Sequence, residues 1–476
     1  MSDGGPGTLA YVALLLWIPI SIAAFFFARP HRAMIFVLLG ALLFLPEAAQ
    51  FKFPYLPPLT KQNIPYLCVL LGALLRCPGR VLRLPKERWF VFLALALLAG
   101  SIGTALTNQD TLHYGVYKTV VLRGLTVKDG LFTGVDQTLH AALPLFLGLA
   151  MFRKPQELRD LLIGFAVAAL LYVPFALVEI RMSPQFHNWV YGYHQHSFLQ
   201  TMRWGGYRPM VFMSHGLALA RFFVVGTLAA LVVSAQRRTI LGIPSMVVAA
   251  ILFVTLVLCK STGAVAYALV GVFVILLGRA KLRRTLAVVL ASTIVLYPAL
   301  RAADLFPVGK MLSAAGMVDT DRQQSLLFRF ENEDALLAKA RERIVFGWGE
   351  YNRSAIFNDM GRPSSVTDGH WIVLIGIAGL VGFGAAFGML LMPIFVAARR
   401  LRAIAERSDR MLVSGTTFIL ALVAVDLIPN ALWADYPYLL GGALIGVTRA
   451  LAFAPRRTEQ ALVKTAAAEQ QPAPAM

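Results

Sequence analysis

The stretch Val366-Thr-Asp-Gly-His-Trp-Ile-Val-Leu-Ile-Gly-Ile-Ala-Gly-Leu-Val-Gly-Phe383 decides the fold. A polar segment carrying one histidine runs into an apolar stretch that meets no charged side chain before Arg399. An apolar run of 18 or more residues is long enough to cross the hydrocarbon of a bilayer as a helix. His370 is therefore expected at a boundary between membrane and water. It also closes residues 302–368, the longest segment of the chain without a membrane-like run.

The same signal recurs along the chain. Of 476 residues, 58% are hydrophobic and 14% charged, and mean hydropathy is +0.67. No soluble domain has this composition, and the alternation that marks a membrane β-barrel is absent. The fold class is all-α, a polytopic membrane protein with 12–13 transmembrane helices. They are expected near 8–28, 33–50, 63–77, 89–108, 130–152, 161–180, 211–234, 241–259, 262–278, 285–301, 369–397, 411–434 and 436–454. This divides the chain into a helix bundle over 1–301, a cap with an amphipathic helix over 302–368, C-terminal helices over 369–457 and a disordered tail over 458–476. In the cap, Glu331 to Arg343 has helical spacing, with Leu336, Leu337 and Ala340 on one face and a stop before Phe346-Gly-Trp-Gly349.

The net charge of +19, from 44 basic and 25 acidic residues, is topological rather than a nucleic-acid signal. Basic residues fill every second connection: Arg29 to Arg32, Arg76 to Arg88, Arg153 to Arg159, Arg237-Arg238, Arg279 to Arg284, Arg399 to Arg410 and Arg456-Arg457. The positive-inside rule puts these loops and the tail in the cytoplasm. Segments 51–62, 109–129, 181–210 and 302–368 then face outward. Met1 to Gly7 has no Lys or Arg, so the first apolar run reads as a retained helix. Cys68, Cys77 and Cys259 have neither disulfide-framework nor metal-site spacing.

Several residues stand out chemically. The outward loop from Arg181 to Met210 has no Asp or Glu, yet it carries Arg203 and Arg208, three histidines and seven aromatics, Trp204 among them. Guanidinium groups there suit a phosphate or diphosphate, and rings suit a lipid chain or a sugar face. An interfacial aromatic belt with snorkelling arginines is the structural alternative. The histidines make only a loose metal set, and no metal is expected. Arg221, inside an expected helix, needs a polar cavity or a partner, since a charge there costs about 2.5–3.5 kcal/mol; Asp136 and Asp426 are the candidates. Lys260 opens Lys260-Ser-Thr-Gly263 at an outer helix end and can bind an anion. His370 can act as a general base near neutral pH. Asp368 is a candidate to orient it, although residues two apart at a helix start diverge.

Arg329-Phe-Glu-Asn332, Ala338-Lys-Ala-Arg341, Phe346-Gly-Trp-Gly349 and Asp368-Gly-His370, followed by Gly376, Gly379 and Gly382, resemble the O-antigen ligase/polymerase superfamily. The resemblance covers about 260–400 well and 200–235 loosely; upstream only the topology is similar. It implies a bacterial inner-membrane glycosyltransferase whose large late loop is periplasmic. A glycan on undecaprenyl diphosphate moves to a hydroxyl acceptor, without cofactor, metal or nucleotide sugar. On this reading His370 is the base. Arg208, with Arg203, Lys260 and Arg221, holds the diphosphate. Asp368, Trp371, Arg329 and Arg341 support the acceptor site. The sequence departs from the family in having Lys260 before Ser261 where an arginine usually follows the serine, and Trp371 where asparagine often follows the histidine.

The function expected is polymerisation of an O-antigen or exopolysaccharide repeat. Partners are the lipid-linked oligosaccharide donor, a glycan hydroxyl acceptor, the bilayer and a chain-length regulator, with no nucleic acid. Two alternatives are an O-antigen ligase that transfers finished glycan to lipid A-core and, from another class, a lipid-linked glycan flippase or secondary transporter using Asp136, Arg221 and Asp426.

Overall fold

The computed structural model describes residues 5–53, 56–83, 85–203, 205–317, 319–366 and 368–452. The fold is 71% helical and 5% strand. Among the described residues, seven helices are long and apolar enough to cross a membrane: Thr8–Phe27, Arg88–Leu106, Pro155–Met182, Gly216–Ser234, Ala280–Ala302, His370–Ala403 and Arg407–Val425. Pro30–Phe44, Asn63–Arg76, Ser245–Leu258 and Thr262–Leu277 are shorter apolar helices, and Tyr436–Ala452 closes the described chain. The protein is thus an all-α multi-pass membrane protein. The expected tail over 458–476, Arg456, Arg457 and Trp204 lie outside the described residues.

A helix stands at each of the expected positions, but several ends differ for local reasons. The run expected over 33–50 stops at Phe44, because the residue before Pro46 is pushed out of the helical region. The chain then turns through a hairpin of Gln50–Phe53 and Leu56–Thr60. The run over 130–152 is continuous but carries a π turn at Thr138–Ala142, between Val127–Gln137 and Leu143–Met151. Its His140 reaches Asp435 at 3.2 Å and Asp136 at 3.7 Å. The helix expected from 211 starts at Gly216. The one expected over 411–434 ends at Val425, and residues 426–435 form a non-helical segment around Pro429.

Gly216–Ser234 is buried on nearly every side, as a helix apolar all round must be. Pro155–Met182, Ser245–Leu258, Thr262–Leu277 and Arg407–Val425 pack around it, and helices of the bundle approach closely through small residues. A Cβ on Gly442 would lie 2.0 Å from the Leu145 carbonyl, which shows how near the Tyr436–Ala452 and Leu143–Met151 backbones come.

The two sets of loops gather at opposite ends of the bundle. At the basic end, Arg32 pairs with Asp160 at 2.8 Å, Arg80 with Glu157 at 3.7 Å, and Arg400 and Arg449 with Glu87 at 3.6 and 3.2 Å. At the other end, the 302–368 segment packs against 108–125. The expected amphipathic helix is present as the later part of Thr320–Glu342, with Leu336, Leu337 and Ala340 buried. Arg353 is fully buried, and its guanidinium donates to the carbonyls of Trp348, Asp110, Arg123 and Asn108 at 2.8–3.4 Å. This ties the cap to the 108–125 main chain, beside the apolar packing of Leu336, Leu337 and Ala340.

The cap also enters the deciding helix. His370–Arg400 is interrupted at Gly379, whose φ is 63°. Residues 344–349 fill the gap: Leu380 and Val381 donate to Ile344 and Val345 at 2.8 and 3.2 Å, while Trp348 and Gly349 donate to Gly376 and Ile377 at 2.8 and 2.9 Å. These four bonds give polar groups at the break protein partners, as a low-dielectric environment requires. A Cβ at Gly379 would sit 2.3 Å from the Val345 carbonyl.

Candidate functional site

The site is built around the non-helical 426–433 segment. The preceding helix ends at Val425, ahead of Pro429, which cannot continue it. Two arginines and one histidine use this segment. Arg221 donates to Leu432 O at 2.7 Å and lies 3.6 Å from the Asp426 carboxylate. Arg329 donates to Pro429 O at 3.5 Å. The backbone N–H of His370 donates to Leu427 O at 2.9 Å, and its ring lies 4.5 Å from Trp433. Asn430 donates to Asp426 at 2.7 Å.

Arg203, Arg208, Arg221 and Arg329 line one cavity of ≈ 950 Å³, with Asp426 as its one acidic lining residue among those described. Arg208 is buried, and its guanidinium donates to Lys260 O at 3.3 Å. Burial, and then the neighbouring Arg203, push its pKa down to about 10. It therefore remains charged at neutral pH but gains from any anion that enters. Arg208 Nε and Arg221 Nε are buried without a hydrogen-bond partner. Buried donors left open in this way are uncommon and costly, and an anion in the cavity would satisfy them.

The loop that carries Arg203 and Arg208 is held by a residue that the sequence did not single out. Glu179, buried near the end of Pro155–Met182, accepts four backbone N–H groups, from Gln185, Phe186, Met210 and Val211, at 2.7–3.1 Å. Val211 takes a left-handed backbone, φ 55°, to make this possible. The Met202–Arg203 and Gly206–Tyr207 hairpin then sets Arg203 opposite Gly206. Gly216 is equally specific, since a Cβ there would lie 2.2 Å from Arg208 Cδ. The signal available in the sequence was an acidic residue at the end of an otherwise apolar helix.

The remaining candidates are distributed as follows. His370 does not line the arginine cavity. Its Nε2 is buried and unpartnered, and its neighbour Trp433 lines a second cavity of ≈ 790 Å³ with Glu47, Lys61 and Asp435. Arg221 lines both cavities and so forms part of the wall between them. Lys260 takes a left-handed backbone, φ 53°, and its Nζ donates to Arg203 O at 3.1 Å. Its ammonium thus helps to position the hairpin. Asp368 pairs with Arg329 at 3.4 Å instead of turning back to His370, in keeping with the divergence of side chains two apart. Trp371 is fully buried against Tyr297, 5.4 Å between rings, and serves packing. Arg341 is exposed and donates to Ala302 O at 2.7 Å, tying two parts of the cap. Arg221 pairs with Asp426 rather than Asp136, and it stands five residues after the helix start at Gly216.

The histidines of the 181–210 loop have separate roles. His187 Nε2 accepts from Glu47 N at 3.1 Å, and its Nδ1 faces Tyr193 O at 2.9 Å. His196 packs edge-on to His215 at 4.7 Å. His215 caps Gly216–Ser234 by accepting the Leu217 N–H at 3.0 Å. Burial, helped by His196, Arg208 and Arg203, lowers its pKa to about 4, so the neutral ring that capping requires is the stable form. Among the described residues, no His, Cys, Asp and Glu form a group that could hold a metal ion.

No family model matches the chain, and no curated protein matches it. One solved structure, "Structural coordination of polymerization and crosslinking by a peptidoglycan synthase complex", is similar at 18% identity, covering 78% of this chain and 98% of that chain, with a TM-score of 0.35. The functional reading rests on the residues of the site themselves.

Proposed function

We propose that this protein is a membrane glycosyltransferase of the polymerase type, moving an undecaprenyl-diphosphate-linked glycan onto a sugar hydroxyl at the periplasmic face of a bacterial inner membrane. The observation that carries this reading is the convergence of Arg203, Arg208, Arg221 and Arg329 on one cavity, beside an imidazole with a free buried nitrogen. In the reaction, the acceptor oxygen bonds to the anomeric carbon. The bond from that carbon to the diphosphate oxygen breaks, and its electron pair leaves with the lipid diphosphate. The acceptor proton passes to His370 Nε2. Charge grows on the diphosphate as the bond breaks, so arginines already fixed by backbone carbonyls favour the transition state over the ground state. Arg221, in the wall between the two cavities, couples the diphosphate side to the side on which Trp433 and His370 lie.

The test uses the purified protein with lipid-linked repeat units. A product ladder without lipid A-core supports polymerase; product that appears only with lipid A-core makes it a ligase. His370→Ala and Arg208→Ala are expected to abolish product with protein still in the membrane. Wild-type-like glycan from either variant removes that residue from the scheme.

One observation favours a second reading. Asp136, His140 and Asp435 form a chain of charged contacts, and Asp435 shares a cavity with Arg221, Glu47 and Lys61. Buried charged paths of this kind serve transporters. Movement of labelled lipid-linked glycan across vesicles without bond formation would establish that reading in place of the first.

A further inference from the structure

We propose that the groove at the basic end of the bundle, between the turn after Asn63–Arg76, the end of Leu143–Met151 and the helix Tyr436–Ala452, binds the phosphate headgroup of an anionic phospholipid. Arg80, Arg83, Lys86, Arg153 and Arg449 line one concavity of ≈ 1360 Å³, and Leu149 and Ala450 contribute apolar surface to it. Two buried carboxylates reach these cations, and both are already engaged. Glu157 accepts the backbone N–H groups of Arg153 and Lys154 at 2.6 and 3.0 Å, with Arg80 at 3.7 Å. Glu87 is shared between Arg400 and Arg449 at 3.6 and 3.2 Å.

The remaining positive charge is oriented rather than neutralised. Arg153 donates to Ala150 O at 3.2 Å and Arg80 O at 3.4 Å, and Arg80 donates to Met151 O at 3.1 Å. Burial and then its neighbours Arg80, Arg449 and Arg83 push Arg153 below the ordinary arginine range. A bound phosphate relieves this repulsion.

The positive-inside rule explains basic loops, but it calls for no common focus and no concavity. A neighbouring cavity at the same end shows the contrast. It holds Arg29, Arg32, Arg80, Lys154, Arg159 and Arg238 together with Glu157 and Asp160, and there Asp160 pairs with Arg32 at 2.8 Å, whereas no described Asp or Glu lines the first groove. The ligand is a lipid rather than a free anion because the cations stand beside membrane-facing surface. Leu82, between Arg80 and Arg83, and Phe92, just beyond Arg88, are 71% and 70% exposed, and acyl chains attached to the headgroup would cover such surface. Basic pockets between membrane helices on the cytoplasmic side have this chemistry.

The experiment reconstitutes the full-length protein in phosphatidylethanolamine nanodiscs, titrates in diphosphatidylglycerol and counts bound lipid by native mass spectrometry. Saturable binding is expected. Arg83→Gln with Lys86→Gln should weaken it about tenfold or more, whereas Arg237→Gln with Arg238→Gln, which removes the same charge outside the groove, should change it less than about twofold. Equal losses in the two double variants, or none in either, overturn the proposal. A parallel arm with inorganic pyrophosphate separates the sources: binding of pyrophosphate without binding of the lipid makes the groove a free-anion site and sinks the lipid assignment.

Discussion

The two ends of the bundle hold arginines in different ways. At the basic end, Arg32, Arg400 and Arg449 meet carboxylates, Asp160 and Glu87, and much of the charge is open to water. At the capped end, Arg208, Arg221 and Arg329 each donate to a main-chain carbonyl, of Lys260, Leu432 and Pro429 respectively, and Arg221 and Arg329 have a carboxylate as well, Asp426 at 3.6 Å and Asp368 at 3.4 Å. A carboxylate cancels a guanidinium; a carbonyl fixes its direction and leaves the charge in place. The first arrangement orients a protein in a membrane. The second makes a site that favours an anion. The basic-end groove is the exception that lends weight to this distinction, since Arg80 and Arg153 are held there by carbonyls as well.

The largest expected difference between the ends is in turnover. Arg208→Gln should cost about 10²–10³ in rate, the scale for removing one donor to a developing oxyanion, while Arg83→Gln leaves turnover unchanged; initial rates of ladder formation check both. If the two variants lose equally, the distinction drawn between the ends is wrong. The cap's hold on the deciding helix gives the next effect. Gly379→Ala places a side chain at φ 63° and 2.3 Å from a carbonyl, and should lower stability by about 1–3 kcal/mol. Gly384, with nothing within 4 Å of its Cβ position, should tolerate alanine, and thermal unfolding in detergent measures the pair.

A smaller, pH-dependent effect belongs to His215. Its folded-state pKa, about 4, lies below its ordinary value, so the unfolded state binds the proton first. The stability it contributes is present above about pH 6.5 and is lost as pH falls toward 4. His215→Asn keeps a cap but removes this titration, so its unfolding midpoint should fall less than that of the wild type over the same range. An equal fall in both would detach the histidine from the cap. The smallest effect is expected at the basic end, where Arg32→Gln breaks a pair whose arginine side chain is 58% exposed. Such pairs contribute at most about 1 kcal/mol.

Much of this architecture is legible in the chain. Hydropathy gives each helix, because a bilayer tolerates few other ways of satisfying a backbone. Basic loops give the two ends, and the pattern of Leu336, Leu337 and Ala340 gives the buried face of the cap helix. A charged residue inside an apolar run needs a partner, and Arg221 has one. The exact partner is another matter: Asp136 and Asp426 were equivalent candidates by sequence, and only packing placed Asp426 3.6 Å from the guanidinium.

Composition and periodicity therefore determined that this is a multi-pass helical membrane protein with arginines in the 181–210 segment and a histidine at a helix start. Tertiary structure decided what those residues touch. It brought residues 203, 208, 221 and 329 to one cavity, turned Asp368 toward Arg329, and used Glu179 and the 426–433 segment as the frames that hold them. The reason is one of range. Helix formation in a membrane answers to hydrophobicity within some twenty residues, whereas the direction of a guanidinium is set by carbonyls from distant segments, which hydropathy cannot encode.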